Sequence, residues 1–175
     1  MRHAFFTGLL LLGSAAILTG CGPKGGPSES PPLTAQGRTQ LYQQAIENAL
    51  GDEGNHFSQL VTSSEDDNAA LVFQLLNLEA EDMSAYALDV SPVNIQAYGI
   101  AAVYPAGGRE DGVLESLNGF IDNQKESFYQ YLEDEYETAS NTRLETLEDG
   151  TILMVMCQDQ DTVFDAIRDA IEGAQ

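Results

Sequence analysis

Carboxylates are the one type of reactive side chain that clusters in this sequence. The chain has 28 Asp and Glu residues against 7 Lys and Arg residues, a formal net charge of −21. Acidic runs occur at 65–67, at 133–137 and at 159–161. Carboxylate oxygens are the ligands that calcium prefers, so the last two runs suggest loose cation sites, although 159–161 lacks the glycine and closing glutamate of a calcium loop. The same runs also fit helix ends: 133–137 as the solvated end of a long helix, 65–67 before a helix, and Asp159-Gln160-Asp161 as a helix cap.

The remaining candidates for catalysis have no partners at a useful spacing. His56 stands alone among polar neighbours, and Ser63 and Ser64 lack the glycine-flanked setting of a serine nucleophile. Cys157 lies in an apolar run, which indicates a buried structural thiol. A carboxylate-based hydrolase needs two acids at a defined separation with different pKa values, and the sequence singles out no such pair. We therefore predict no catalytic residue, no metal ligand and no cofactor.

Composition narrows the class of protein. A chain of 175 residues has room for one ordinary domain, and 43% hydrophobic residues suffice to build a core. Two cysteines exclude a scaffold dense in disulfides. The shortage of Lys and Arg excludes a usual nucleic-acid binder, because such proteins neutralise phosphates with a basic face.

Residues 1–20 have the features of a secretory signal peptide. Arg2 supplies the positive start, and an apolar run at 4–18 follows, too short for the roughly 20 residues that span a bilayer. Its ending, Leu18-Thr19-Gly20-Cys21, resembles the lipobox of bacterial lipoproteins. The resemblance implies cleavage before Cys21 and attachment of a diacylglycerol group, palmitate being a typical acyl chain, to its thiol. An uncleaved anchor and an ordinary secretory cut near a cysteine are the alternatives.

Residues 21–38 are predicted to carry the lipid and to form a tether. Glycine, proline and serine dominate 22–37, a composition that cannot repay the entropy cost of ordering. In an extended form such a segment reaches roughly 50 Å. Two acyl chains provide stable anchoring, so we expect a protein held at the extracytoplasmic face of the cell membrane. The spacer also separates an acidic domain from anionic lipid.

Hydrophobic periodicity predicts the elements of a single domain at 39–175. Spacings of three and four residues mark helices, β-branched alternation marks strands, and Asp149-Gly150 marks a hairpin turn. In order, we predict helices at 39–50 and 69–78, two strands within 84–104, a long helix at 111–137, a hairpin at 143–158, and a helix at 161–173. Gly51 is expected to stop the first helix, and Asp67 or Asn68 to cap the second.

The order α-α-β-β-α-β-β-α predicts an α+β fold, with helices packed on a small, largely antiparallel four-stranded sheet. Residues 152–157 are apolar at every position, which indicates a strand that is central or covered on both faces. Tyr129, Tyr131 and Tyr136 fall in the predicted long helix. They fit either the rim of the core or the lining of a groove.

The chain also resembles small lipoproteins of anaerobic Gram-positive bacteria that carry a domain catalogued as of unknown function. The similarity rests on Tyr86-Ala87-Leu88-Asp89 at a strand start, a long helix ending near Tyr131, a hairpin containing Gly150, and the apolar strand after it. It covers roughly residues 69–171. This chain is unusually acidic and has few basic residues in the long helix. The resemblance implies an α+β domain but no catalytic or ligand residues.

These observations favour a membrane-anchored binding or accessory module that is not an enzyme. Its expected partners are the membrane, through the diacylglycerol on Cys21, and an envelope protein whose identity the sequence does not specify. A surface that binds divalent cations weakly is the first alternative, and a carboxylate-based envelope hydrolase is the second. An exposed apolar patch favours the binding module, because such patches mark interaction sites on soluble domains.

Overall fold

A four-stranded antiparallel sheet forms the centre of the domain. The computed structural model describes residues 33–51, 58–93 and 95–174. The strands are β1 (Met83–Val90), β2 (Gly99–Pro105), β3 (Arg143–Thr146) and β4 (Ile152–Met156), in the spatial order β1-β2-β4-β3. The predicted α+β class and the antiparallel four-stranded sheet are confirmed.

Helices cover both faces of the sheet. In the described part of the chain they are α1 (Ala35–Leu50), α2 (Ala69–Leu76), α3 (Glu110–Phe128), α4 (Glu133–Ser140) and α5 (Gln160–Glu172), with a short 3-10 turn at Ala80–Asp82. Alternate side chains of each strand point to opposite faces, and the core divides accordingly. Leu88, Val103 and Met154 pack with α2, α3 and α4, whereas Ala87 and Val155 pack with α1 and α5.

The last two strands form the hairpin that the sequence predicted. The Leu147 amide donates to the Thr151 carbonyl at 2.7 Å, and Gly150 has a φ of 88°, a region that favours glycine. Every residue of β4 is buried, and the strand lies between β2 and β3. The expected central, doubly covered strand is therefore confirmed.

The first helix begins earlier than its apolar stripe predicted. α1 begins at Ala35 rather than 39, so residues 35–38 of the predicted tether form its first turn. Thr34 is the N-cap, and its hydroxyl accepts a hydrogen bond from the Gly37 amide. The apolar pattern missed this turn because its important contact is polar: Arg38 pairs with Asp149. The predicted stop at Gly51 is confirmed, with a φ of 55°.

The predicted long helix is two helices. α3 ends at Phe128 and α4 begins at Glu133. The buried stripe of α3 runs from Val113 to Phe128, and a straight continuation would bring Tyr131 and Glu135 onto the core face. The chain turns instead, and Ala139 of α4 reaches the core. The expectation that 133–137 ends a helix is therefore wrong, because Glu133, Asp134 and Glu135 form the first turn of α4.

Other boundaries shift by a few residues. α2 ends at Leu76, two residues early, with Asn77 in the left-handed region, and β2 begins at Gly99. Asn68 occupies the N-cap position of α2 without a side-chain cap bond. Asp159, not Asp161, is the N-cap residue of α5, and it makes no side-chain cap bond either.

The two ends of the sheet differ in what closes them. At the arginine end, defined by Arg38, Tyr104 and Asp149, α1 begins and β3 turns into β4. At the opposite end β1 turns into β2, and α3 connects to α4. These two connections touch, since the Ala97 amide donates to Glu135 Oε2 at 2.6 Å.

Candidate functional site

Large apolar side chains are exposed at one end of the sheet. Val93 and Ile95 lie in the turn between β1 and β2, and Tyr129, Tyr131 and Leu132 lie in the connection between α3 and α4. We call these five residues the tyrosine end. Tyr131 is 85% exposed, Ile95 66% and Tyr129 64%. Patches of this kind mark interaction sites.

Leu71 extends this exposed surface along α2. It is 44% exposed and lines a small cleft with Val90 and Pro92, beside the turn that carries Val93. With Leu71 included, every exposed large hydrophobic side chain in the described residues lies toward this end. Scattered exposed apolar residues are ordinary, whereas their concentration at one end is informative.

Neighbouring side chains that pack in the core hold the tyrosine end in place. Phe128 is 1% exposed and fixes the last turn of α3 in the core. The rings of Tyr129 and Tyr136 meet edge to face with 5.4 Å between centroids, and Tyr136 packs against the core. Tyr136 thus behaves as the predicted rim residue, while Tyr129 and Tyr131 point outward.

Exposed carboxylates follow the tyrosines along the chain. Glu133, Asp134 and Glu137 are exposed on α4, and no ion pair involves them within the described chain. The first two lie at the N-terminus of α4, where the helix dipole stabilises negative charge instead of opposing it. The site therefore combines outward aromatic faces with unpaired negative charge.

Cations elsewhere in the domain are already engaged. Each Lys and Arg in the described residues forms an ion pair: Arg38 with Asp149, Arg109 with Asp82, Lys125 with Asp122, Arg143 with Glu145 and Asp165, and Arg168 with Asp165 and Asp169. Lys125, the one nearest to Tyr129 in the chain, lies 3.6 Å from Asp122. An anionic ligand would therefore meet no unpaired cation in this part of the molecule.

A buried polar pair lies beneath the same end of the sheet. Tyr98 donates its hydroxyl to Asp89 Oδ2 at 2.6 Å, and Asp89 is only 6% exposed. Burial raises the pKa of Asp89, while hydrogen bonds from Ser58 and Tyr98 oppose the shift. Burial and the nearby Asp89 carboxylate raise the pKa of Tyr98 as well. Within the described residues, Asp89 Oδ1 has no hydrogen-bond partner.

Burial separates the Asp89 carboxylate from solvent, whereas a general acid must reach its substrate. Its partner Tyr98 and the thiol-bearing Cys157 line one cavity of about 300 Å³. Cys157, whose pKa burial raises to about 12, is 7% exposed and free. A thiol of that pKa is protonated at neutral pH and is a poor nucleophile, so the expected buried cysteine is confirmed.

A shallow groove of about 1010 Å³ separates α2 from α3. Gly112, Ser116 and Gly119 of α3 line it, together with Phe73 and Asn77. The Ser116 hydroxyl donates to the Asn77 carbonyl at 2.8 Å and joins the two helices. Four charged residues also line the groove, and two of them, Arg109 and Asp82, pair with each other.

The other predicted residues lie either outside the described residues or in different elements of the fold. Leu18, Thr19, Gly20, Cys21 and His56 lie outside the described residues. Ser63 belongs to a turn, where its amide donates to Asp66 Oδ2 at 3.0 Å. Asp161 lies 3.7 Å from Arg143, far from the run at 133–137 along the chain. No group of three His, Cys, Asp or Glu side chains able to hold a metal occurs in the described part.

Sequence reasoning missed Val93, Ile95 and Asp89. Two apolar residues within a turn beside Pro92 are unusual, and that signal points to exposure. Asp89 sits in an apolar strand, where a lone carboxylate suggests a buried polar contact. Its partner Tyr98 is nine residues away.

Comparison with known proteins adds one finding about the domain. A family model described as a domain of unknown function, DUF4358, matches residues 55–157, which include the whole sheet and α2, α3 and α4. Neither a curated protein nor a solved structure matches the chain. In the described residues, none of the helices combines the length and hydropathy needed to cross a bilayer.

Proposed function

The chain belongs to the DUF4358 family of domains of unknown function, and from there we propose that it is a lipid-anchored binding module of the bacterial cell envelope. In this proposal Cys21 carries a diacylglycerol at the extracytoplasmic face of the membrane. The folded domain binds an envelope partner and catalyses no reaction. The tyrosine end is the binding surface.

The exposure of Tyr129 and Tyr131 carries this proposal. Aromatic residues are enriched in protein interfaces, because a ring gives large contact area at small entropic cost. An 85% exposed Tyr131 contributes nothing to the core, so its aromatic surface is available to a partner. The buried positions of Asp89 and Cys157 give no comparable support to an enzyme.

The position of the surface fits a tethered domain. The predicted tether joins the domain at Thr34, which caps the first turn of α1 at the arginine end. α1 has 16 residues, so at about 1.5 Å per residue it carries the chain roughly 24 Å toward the opposite end. A module held through its first residues would thus have its binding surface remote from the point of attachment.

The anchor is tested by mass spectrometry of membranes from cells that express the full chain. We expect a mature N-terminus at Cys21 bearing a diacylglycerol, and we expect Cys21→Ala to leave the signal peptide attached. An unmodified cysteine in a chain that still contains Met1 would contradict the lipoprotein assignment.

The binding surface is tested by photo-crosslinking in intact cells. A photoreactive residue at Tyr131 should give a discrete adduct, while the same residue at Glu172, exposed at the C-terminal end of α5, serves as the control. Equal adducts from both positions, or none from Tyr131, would contradict a specific binding role for the tyrosine end.

A further inference from the structure

We propose that the tyrosine end binds a cationic polypeptide segment, one that presents Arg or Lys side chains to Tyr129, Tyr131 and the carboxylates of α4. The inference rests on the proposed function, since it specifies the chemistry of the partner at that surface. It follows from two arginine sites within the domain and from the charge of the surface itself.

The domain already binds its own arginines with one combination of groups. The Arg38 guanidinium lies 4.0 Å from the centroid of the Tyr104 ring and pairs with Asp149. The Arg143 guanidinium lies 3.8 Å from the centroid of the Phe164 ring and pairs with Asp165 at 2.9 Å. In both places an aromatic face and a carboxylate act together on one cation, through the ring quadrupole and a charge-assisted hydrogen bond.

The tyrosine end offers the same two kinds of group, both of them exposed. Tyr129 and Tyr131 provide the rings, and Glu133, Asp134 and Glu137 provide the carboxylates on the adjoining helix. These carboxylates have no ion pair among the described residues, and the neighbouring Lys125 is paired with Asp122. A partner's Arg or Lys side chain would add the cation to these rings and carboxylates.

Charge also argues against the other occupants of an apolar surface. An anionic lipid headgroup or a second copy of this chain would bring negative charge to a molecule of net charge −21. A cationic segment is attracted to that field from a distance and then held by short-range contacts. The apolar neighbours Val93, Ile95 and Leu132 suit the methylene stems of Arg and Lys side chains.

The test uses the full chain in phosphatidylcholine nanodiscs and a labelled peptide of alternating arginine and leucine. A glutamate–leucine peptide and a serine–leucine peptide serve as comparison ligands. We expect the arginine peptide to bind most tightly. The double variant Tyr129→Ala/Tyr131→Ala should weaken that binding about tenfold, because it removes two exposed cation–ring contacts.

A matched pair of variants separates a local site from general attraction. Glu133→Gln/Asp134→Asn/Glu137→Gln removes three charges at the tyrosine end. Glu115→Gln/Glu148→Gln/Glu172→Gln removes three exposed charges elsewhere. We expect about a tenfold loss in the first and less than about twofold in the second, since screening at physiological salt limits the effect of remote charges. Cooperative thermal unfolding of all three variants establishes that the fold is intact.

Four results would overturn the inference. The first two are equal losses in the two charge variants and no effect of removing the tyrosines. The third is tighter binding of the uncharged or acidic peptide or of phosphatidylglycerol vesicles. The fourth is self-association that depends on Tyr131, which would assign the surface to a second copy. The crosslinking experiment keeps the two proposals apart. A Tyr131 adduct with a partner segment that lacks Arg and Lys refutes the cationic ligand while retaining the binding module.

Discussion

The two ends of the sheet carry similar groups, which are paired and enclosed at one end and exposed at the other. At the arginine end, Tyr42 donates or accepts a 2.6 Å hydrogen bond with Thr151, and Arg38 covers the Tyr104 ring. At the tyrosine end, Tyr129 and Tyr131 stand in solvent beside carboxylates without cations. The first arrangement contributes to stability, because its polar groups are paired and enclosed. The second contributes little to stability and leaves its groups available for binding.

Truncating one tyrosine at each end tests this contrast most strongly. Tyr42 is fully buried, so Tyr42→Ala should lower the free energy of unfolding by about 3–5 kcal/mol. Tyr131→Ala should change it by less than about 0.5 kcal/mol, as is usual for exposed positions. Urea denaturation of both variants measures the difference. Comparable losses would show that Tyr131 supports the fold and is no free surface residue.

The buried ion pair at the arginine end should have the next largest effect. The side chains of Arg38 and Asp149 are 13% and 3% exposed. Arg38→Met leaves the Asp149 carboxylate buried with only its Thr151 contacts, so we expect a loss of about 2–3 kcal/mol. Arg168→Met, in a surface pair, is the control and should cost much less. If Arg38→Met and Arg168→Met lower the denaturation midpoint equally, the buried pair is worth no more than the surface pair and the prediction is wrong.

Asp89 is the exception at the tyrosine end, because it is buried and its burial destabilises the charged carboxylate. Its pKa is raised, so the native state binds a proton more tightly than the unfolded state, whose Asp pKa is near 3.8. Native stability is therefore lost as the pH rises from that value through the raised one. Asp89→Asn keeps an acceptor for Tyr98 and removes the buried charge, so any stabilisation of the domain should be larger at pH 7 than in acid.

The Asp89→Asn effect should disappear in acid. At a pH below the ordinary Asp value, the carboxyl group is protonated in both states and carries no penalty. Urea denaturation from neutral pH down to a pH below the ordinary Asp pKa tests the sign of this pH dependence. The exposed Glu115→Gln variant is the control. A stabilisation that is the same in acid and at neutral pH would show that the Asp89 charge is not its cause.

The smallest predicted effect concerns where the domain begins. Thr34 caps α1 at the arginine end, so Thr34→Ala should lower the free energy of unfolding by about 1 kcal/mol. Thr138→Ala removes a hydroxyl from within α4 and should cost less, since alanine favours helix interiors. A Thr34→Ala variant with unchanged stability would restore the predicted boundary after residue 38.

Local pattern predicted most of the architecture. The apolar run at 152–157 identified a central strand, since a strand covered on both faces can have no polar side. Asp149-Gly150 identified the hairpin, because only a few residue pairs fit so tight a turn. The apolar spacing at 161–173 predicts a buried side of α5 at Val163, Phe164, Ile167, Ala170 and Ile171, and all of these except Ala170 are buried. The resemblance to a domain of unknown function agrees with the DUF4358 match.

Contacts between distant residues decided the rest. Arg38 and Asp149 are 111 positions apart, so no window of sequence reveals that they extend α1 by a turn. The break at Phe128 has no glycine or proline to mark it, and it exists because α4 must bury Ala139 while leaving Glu135 to meet the Ala97 amide.

By itself the sequence determined the periodicities that build helices and strands, the turn between β3 and β4, and a lipobox-like motif ending at Cys21. These are properties of neighbouring residues, fixed by backbone geometry and by the spacing of apolar side chains. Tertiary structure alone decided which aromatic residues are buried and which cations are paired. Burial and pairing depend on what the rest of the chain brings nearby, and they separate an enclosed Tyr42 from an exposed Tyr131.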